Sequence, residues 1–204
     1  MKLKVIATLI ATVAVGASFS NNPAYASTTS ASLTVNSNLT MGTCSAQVLD
    51  SNNKATDTVA LGNVYISEVA AKSKVQPFKI RFSDCAGLTG KKAQLVLAPN
   101  GIGMGCAGGS SNTAAFANSI AAGAGGSSRA AVEVWTTTTP EGNGSQQFSC
   151  VQRNVITVDL SNASTTQPYD YDLSARMVTA DGRPATDVLP GEFRSPTTFT
   201  ITYQ

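Results

Sequence analysis

Cysteine has the clearest chemistry in this chain, which contains Cys44, Cys85, Cys106 and Cys150. In an exported protein an even number of cysteines predicts disulfide bonds, and four cysteines allow three pairings. We favour the sequential pairing, Cys44 with Cys85 and Cys106 with Cys150. A zinc site is the competing interpretation, but no two of the cysteines form a CxxC pair.

The other side chains that could carry chemistry lack the partners that catalysis needs. The chain has no histidine, which excludes histidine-based triads and HExxH zinc sites. Asp170 and Asp172 stand two residues apart, on one side of a strand, where a solvated sheet face is the favoured interpretation over a hydrolase pair. No GxSxG nucleophile motif is present. The sequence therefore predicts no enzyme, no metal site and no cofactor.

One glycine motif matches a nucleotide-binding pattern without its context. The residues from 103 to 108 read GMGCAG and fit GxGxxG, but a dinucleotide site also needs a helix directly after it and an acid about 20 residues on. The chain continues GSSN, and the next acid is Glu133. We interpret this segment as a flexible loop pinned by Cys106.

The N-terminus has the pattern of a secretory signal peptide. Lys2 and Lys4 precede an apolar run at 5–17, and Ala24-Tyr25-Ala26 forms a cleavage site before Ser27. The alternative is an uncleaved anchor, but a membrane-spanning helix needs about 20 apolar residues. We expect a mature protein of residues 27–204.

The charge balance excludes nucleic acid as a partner. Charged residues make up 13% of the chain, and the net charge is +2. Without Lys2 and Lys4 the basic residues equal the 12 acidic residues, so the mature protein has no basic surface to bind phosphates. A neutral chain does not oppose self-association.

Alternation with a period of two predicts an all-β protein. Apolar residues alternate at 33–41, 78–82 and 199–203, and β-rich runs occur at 95–97, 132–135, 155–160 and 169–178. Turn-forming residues separate them, which is typical of an antiparallel β-sandwich. An insertion at 101–128 is rich in Gly, Ala and Ser; Phe116 and Ile120 are spaced for one or two turns of helix. We expect another segment to cover the far edge of the strand that contains Phe199, Ile201 and Tyr203.

These features together resemble the pilin subunits of chaperone-usher (type 1-like) fimbriae of Gram-negative bacteria. The resemblance covers nearly all of residues 27–204 and rests on the signal peptide, the spacing of Cys44 and Cys85, the runs VALGNV at 59–64 and PFKIRFSDC at 77–85, and the terminus from Gly191 to Tyr203. It implies an immunoglobulin-like sandwich that lacks its final strand. Donor-strand complementation completes such a domain, first by a periplasmic chaperone and then, at the outer-membrane usher, by another subunit.

The resemblance also implies roles for individual residues. The domains would be a signal peptide at 1–26, an N-terminal donor-strand extension with the start of the first strand at 27–43, and a pilin β-sandwich domain at 44–204. Leu33 and Val35 would anchor the donor strand, and Gly191, Phe199, Ile201 and Tyr203 would form the acceptor groove and C-terminal motif. In the alternative interpretation, Leu33 and Val35 begin the first internal strand.

The predicted function is that of a structural subunit of a surface fimbria, exported through the periplasm and contributing to cell adhesion. The short extension, the second cysteine pair and the insertion at 101–128 indicate a minor subunit. The alternatives are a single-domain adhesin that binds a host glycan through the insertion, and a secreted coat or matrix protein. A two-domain tip adhesin would need a further lectin domain, for which we expect no room in residues 27–204.

Overall fold

The computed structural model describes residues 42–100, 105–108 and 113–204. The predicted signal peptide at 1–26 and nearly all of the predicted extension at 27–43, including Leu33 and Val35, lie outside the described residues.

Two antiparallel sheets form the described part of the chain. Numbered along the chain, the strands are β1 Thr43–Leu49, β2 Val75–Ala86, β3 Lys92–Pro99, β4 Phe116–Ala117, β5 Ala130–Trp135, β6 Ile156–Asp159, β7 Tyr169–Thr179 and β8 Thr197–Tyr203. The first sheet has five strands in the order β1-β2-β7-β5-β4, and the second has three in the order β6-β3-β8. The predicted antiparallel all-β sandwich is confirmed.

The core lies between the inner faces of the two sheets. Phe78, Ile80 and Phe82 of β2 are buried, as the alternation predicted, and they meet Leu95 and Leu97 of β3 in one cluster. Burying each of these side chains contributes roughly 1.5–3 kcal/mol relative to exposure. The β-rich runs at 95–97, 132–135, 155–160 and 169–178 lie in β3, β5, β6 and β7 respectively.

Helix α1, Ile66–Ala71, was not predicted from the sequence. The backbone N–H of Tyr65 donates to Oε2 of Glu68 at 2.8 Å, and Lys72 ends the helix in the left-handed conformation. Six residues make fewer than two turns, so a helical period cannot be recognised in so short a segment.

The expectation of helical turns around Phe116 was wrong. Phe116–Ala117 forms β4, in which Phe116 pairs with Val132 of β5 and its side chain is fully buried. Backbone pairing with an existing sheet outweighed the i, i+4 spacing of Phe116 and Ile120. A single 3-10 turn, Ala122–Ala124, follows.

Charged residues line the outer face of the five-stranded sheet. Arg81 Nε and Nη2 donate to the two carboxylate oxygens of Asp170 at 2.6 and 2.8 Å, and Lys79 Nζ lies 3.4 Å from Oδ2 of Asp170. The Arg81 hydrogen bond is the main reason that the pKa of Asp170 lies below its ordinary value of 3.8. Asp170 therefore belongs to a cross-strand ion pair rather than to a catalytic pair with Asp172.

This ion pair predicts a pH-dependent contribution to stability. Because the pKa of Asp170 is lowered by folding, its contribution is present above about pH 3.8 and is lost as the pH falls through the folded value. We expect Asp170→Asn to lower the free energy of unfolding at pH 6, and the difference from wild type to shrink at pH 2.5, in urea titrations. Asp172→Asn, an exposed neighbour on the same strand, is the control and should change little at either pH. An effect of Asp170→Asn that is equal at both pH values would contradict the assignment.

Candidate functional site

Strand β8 has one paired edge. In the part of the chain that the structure describes, it pairs with β3 alone. Gln204 N–H donates to the Lys92 carbonyl at 2.9 Å, and Lys92 N–H donates back at 3.4 Å; at the other end, Asn100 N–H donates to the Pro196 carbonyl at 2.9 Å. In an antiparallel ladder these hydrogen-bonded pairs alternate with residues whose backbone groups point the other way. The backbone groups directed away from β3 are therefore those of Thr197, Phe199, Ile201 and Tyr203.

The same alternate residues direct their side chains toward the core. The ring of Phe199 meets that of buried Phe148 edge-on, with centroids 5.5 Å apart, and Tyr203 meets Phe82 in the same way at 6.4 Å. Burial raises the pKa of the Tyr203 phenol. The strand thus has an apolar inner face, and the backbone groups of the same residues point to its unpaired edge.

A groove of about 1320 Å³ lies beside the start of β8. Two segments, residues 57–66 and residues 188–197, line its walls. Three apolar residues stand exposed along its rim: Tyr65, Ile66 and Leu189. Its floor is apolar and comes from both sheets, through Phe78, Leu97, Val132, Val134, Ala175 and Met177.

This geometry suits an extended peptide segment. Seven residues of β8 extend for about 20 Å, at about 3.4 Å per residue, so an added strand of similar length would pair along the free edge. Its alternate side chains would enter the groove, where the floor is apolar. The site therefore combines unpaired backbone hydrogen-bonding groups with adjacent apolar surface.

Only two of the four predicted acceptor residues line the groove. Phe199 and Gly191 line the groove, whereas Ile201 and Tyr203 lie farther along β8 and pack against the main core. Gly191 has φ 154°, and a Cβ at this position would lie 2.5 Å from the Ser127 amide nitrogen, so only glycine fits there.

The sequence analysis did not identify residues 57–66 as part of the site. Leu61 and Val64 pack against a small cluster that contains Val69 and Met177. Val59 and Leu61 alternate in the run VALGNV, and this alternation could have indicated a segment with one buried face.

Disulfide bonds join Cys44 to Cys85 and Cys106 to Cys150, which is the sequential pairing. Among the described residues, no cluster of His, Cys, Asp or Glu could hold a metal ion. No helix in the described ranges is long and apolar enough to cross a membrane.

A second cavity, of about 460 Å³, adjoins the insertion at 101–128. Its charged lining residues are Arg129, Asp181 and Arg183, all of which are exposed. Among the described residues that line this cavity, the buried polar side chain of Ser127 already donates to the Leu189 carbonyl at 2.7 Å.

Two antiparallel sheets, with a groove beside a last strand that is paired on one edge only among the described residues, define the class as a pilin-type immunoglobulin-like domain. No family model matches the chain. The chain is 40% identical over 195 residues to the uncharacterized fimbrial-like protein YadL of Escherichia coli K12, covering 96% of this chain and 94% of that protein. It therefore belongs to the family of fimbrial-like proteins, as the sequence predicted, and not to a family of enzymes.

Two solved structures were also similar to this chain. The P pilus rod subunit PapA aligns over 79% of this chain and 99% of its own, with 16% identity and a TM-score of 0.49. The CupB6 tip adhesin from Pseudomonas aeruginosa aligns over 64% of this chain and 30% of its own, with 15% identity and a TM-score of 0.46.

Proposed function

We propose that this protein is a structural subunit of a surface fimbria and is polymerised by donor-strand exchange. The observation that supports the proposal is the free edge of β8 beside a groove with an apolar floor. A strand added there would pair with the backbone groups of Thr197, Phe199, Ile201 and Tyr203 and would cover exposed apolar surface in the same step.

The donor in this proposal is residues 27–36 of a second copy or a related subunit. Leu33 and Val35 stand two residues apart, so in an extended strand both side chains enter the groove from one face. The sequence before them, STTSAS, offers few apolar anchors. We therefore expect weak donor binding, consistent with a minor subunit.

A subunit with an uncovered groove would be prone to aggregate in the periplasm. Apolar rim residues such as Leu189, which is 57% exposed, together with an unpaired strand edge favour aggregation. We propose that a periplasmic pilus chaperone covers the groove until the outer-membrane usher directs exchange with another fimbrial subunit. The cell-surface location and the contribution to adhesion follow from assembly into the fimbria.

Adding a synthetic peptide of residues 27–36 to the full-length mature protein tests this function. We expect the peptide to raise the melting temperature in a concentration-dependent way, because a ligand that binds only the folded state stabilises it. A peptide with Leu33→Asp and Val35→Asp is the control and should have no effect. Equal stabilisation by both peptides, or by neither, would contradict the donor assignment.

The orientation of the β8 backbone predicts different effects for two neighbouring proline substitutions. Thr197→Pro removes an N–H that points to the free edge, which proline tolerates, so we expect about tenfold weaker peptide binding and an almost unchanged melting temperature without peptide. Thr198→Pro removes an N–H directed at β3 and should lower the melting temperature of the free protein. Calorimetry with and without peptide measures both effects. Unchanged peptide affinity in Thr197→Pro would mean that the peptide does not pair with this edge.

A further inference from the structure

We infer that Asn118 is a positioning residue for the groove: it holds residues 117–128 of the insertion against segment 188–194 and so fixes one wall. The existence of this brace is independent of the proposed function. Its effect on a bound donor strand rests on that function.

The side chain of Asn118 uses all of its hydrogen-bonding capacity in this contact. Nδ2 donates to the carbonyls of Ser127 at 2.9 Å and Glu192 at 2.7 Å. Oδ1 accepts from the backbone N–H groups of Ile120 at 3.1 Å and Arg194 at 2.9 Å. An amide offers two N–H donors and a carbonyl with two lone pairs, and all are occupied. Because two partners are N–H donors and two are carbonyls, no other side chain of this size satisfies all four.

Backbone hydrogen bonds continue the same contact on both sides of Asn118. Ser119 N–H donates to the Arg194 carbonyl at 2.7 Å, and Ser127 N–H donates to the Glu192 carbonyl at 2.8 Å. Glu192 N–H donates to the Gly125 carbonyl at 2.9 Å. Residues 117–128 and 188–194 therefore form one hydrogen-bonded unit, although they are far apart in the sequence.

The brace is fixed to the body of the domain at its other end. Ala117 N–H donates to the Gly105 carbonyl at 3.0 Å, and Phe116 is buried against β5. The disulfide between Cys106 and Cys150 fastens the preceding residues. Residues 113–128, held by these contacts, can therefore restrain a wall segment that has no regular strand of its own between β7 and β8.

The glycines at the contact show how close the two segments lie. A Cβ on Gly191 would stand 2.5 Å from the Ser127 amide nitrogen and 2.6 Å from the carbonyl carbon of Gly126, both on the facing segment. Within the insertion itself, a Cβ on Gly126 would stand 2.1 Å from the Ile120 carbonyl oxygen. Because larger residues would push the segments apart, the position of the wall depends on this contact. The Gly- and Ala-rich insertion therefore helps to position the segment at 188–194 beside the groove.

Hydrogen exchange of the disulfide-intact mature protein tests the brace without any donor peptide. In Asn118→Ala we expect the amides of Ser127 and Glu192 to exchange about tenfold faster, while amides of the central strands, such as that of Ile80, keep their rates. Asn143→Ala, on an exposed turn, is the control and should change nothing. Faster exchange at Ile120 and Arg194 alone, or equally everywhere, would overturn the inference, because a brace must protect groups that Asn118 does not bond directly.

A milder variant keeps the test useful if Asn118→Ala does not fold. Ser119→Ala removes only the hydroxyl bond to the Arg194 carbonyl, at 2.9 Å, and should raise exchange at Glu192 by a smaller factor. Unchanged exchange at Glu192 in this variant would count against the brace.

Dissociation of the 27–36 peptide tests the consequence for the groove. We expect about tenfold faster release from Asn118→Ala than from wild type or Asn143→Ala. Unchanged release together with a loosened wall would overturn the link between the brace and donor binding. If wild type binds no peptide, the proposed donor fails, but the exchange data still decide whether the brace exists.

Discussion

Arg176→Leu is expected to lower the free energy of unfolding by about 3–5 kcal/mol, because it leaves a buried carboxylate without its cation. Arg176 and Glu133 face each other on β7 and β5, and both are more than 90% buried. Arg176 Nε donates to Glu133 Oε2 at 2.7 Å, and the Trp135 indole N–H donates to the same oxygen at 3.0 Å. The guanidinium of Arg176 also lies 5.3 Å from the centroid of the Trp135 ring. Burial opposes the charged form of Arg176, but hydrogen bonds to Glu141 and Glu133 outweigh it and raise the pKa of Arg176.

The double variant Arg176→Leu/Glu133→Leu identifies the cause of that loss. Removing both charges should restore much of the stability, since an apolar pair can replace a buried ion pair at little cost. Arg183→Leu, at an exposed position, is the control and should change the free energy of unfolding by less than about 0.5 kcal/mol. Urea titrations measure all three. A lower free energy of unfolding in the double variant than in Arg176→Leu would show that the shapes of the two side chains, rather than their charges, stabilise this part of the sheet.

Replacing Cys44 and Cys85 with alanine is expected to cost about 4 kcal/mol in the chain-entropy model, because the bond closes a loop with a sequence separation of 41. Both cysteines are buried, so alanine avoids placing a hydroxyl in the core. The bond joins the start of β1 to the end of β2, which is the strand that carries Phe78, Ile80 and Phe82 into the core. Urea titration of the oxidised wild type and the variant measures the loss.

The second disulfide provides the comparison. Cys106 and Cys150 are separated by 44 residues, so their removal should cost nearly the same global free energy. Only this second variant should also increase hydrogen exchange at Glu192, because only Cys106 fastens the insertion that braces the wall. A loss below about 1 kcal/mol for either pair would mean that the unfolded chain is already compact without the crosslink.

Strand positions were predictable because each buried strand carries its own alternation. Phe78, Ile80 and Phe82 alternate, and their burial needs only a sheet with one apolar face. Phe116 was predicted wrongly because its i, i+4 partner Ile120 gave a local signal that pairing with Val132 overrode. Helix α1 left no recognisable period in six residues.

The candidate site was only partly predictable, because some of its residues carry a local sequence signal and others do not. Phe199 and Gly191 were singled out from the sequence, and both line the groove. Neither Asn118 nor the pair of Glu133 and Arg176 carries a sequence signal, because each depends on partners that lie far along the chain. Hydrogen bonds between distant segments have no period that a sequence can display.

The sequence by itself determined that the protein is all-β, contains an even set of cysteines, lacks histidine chemistry and resembles fimbrial pilins. These properties follow from residue type and local spacing. The tertiary structure alone decided that residues 57–66 and 188–197 line the groove beside β8 and that Asn118 ties the insertion to the segment at 188–194. The physical reason is that a groove wall and a brace are contacts between segments that are remote in sequence. Only the packing of the two sheets brings those segments together.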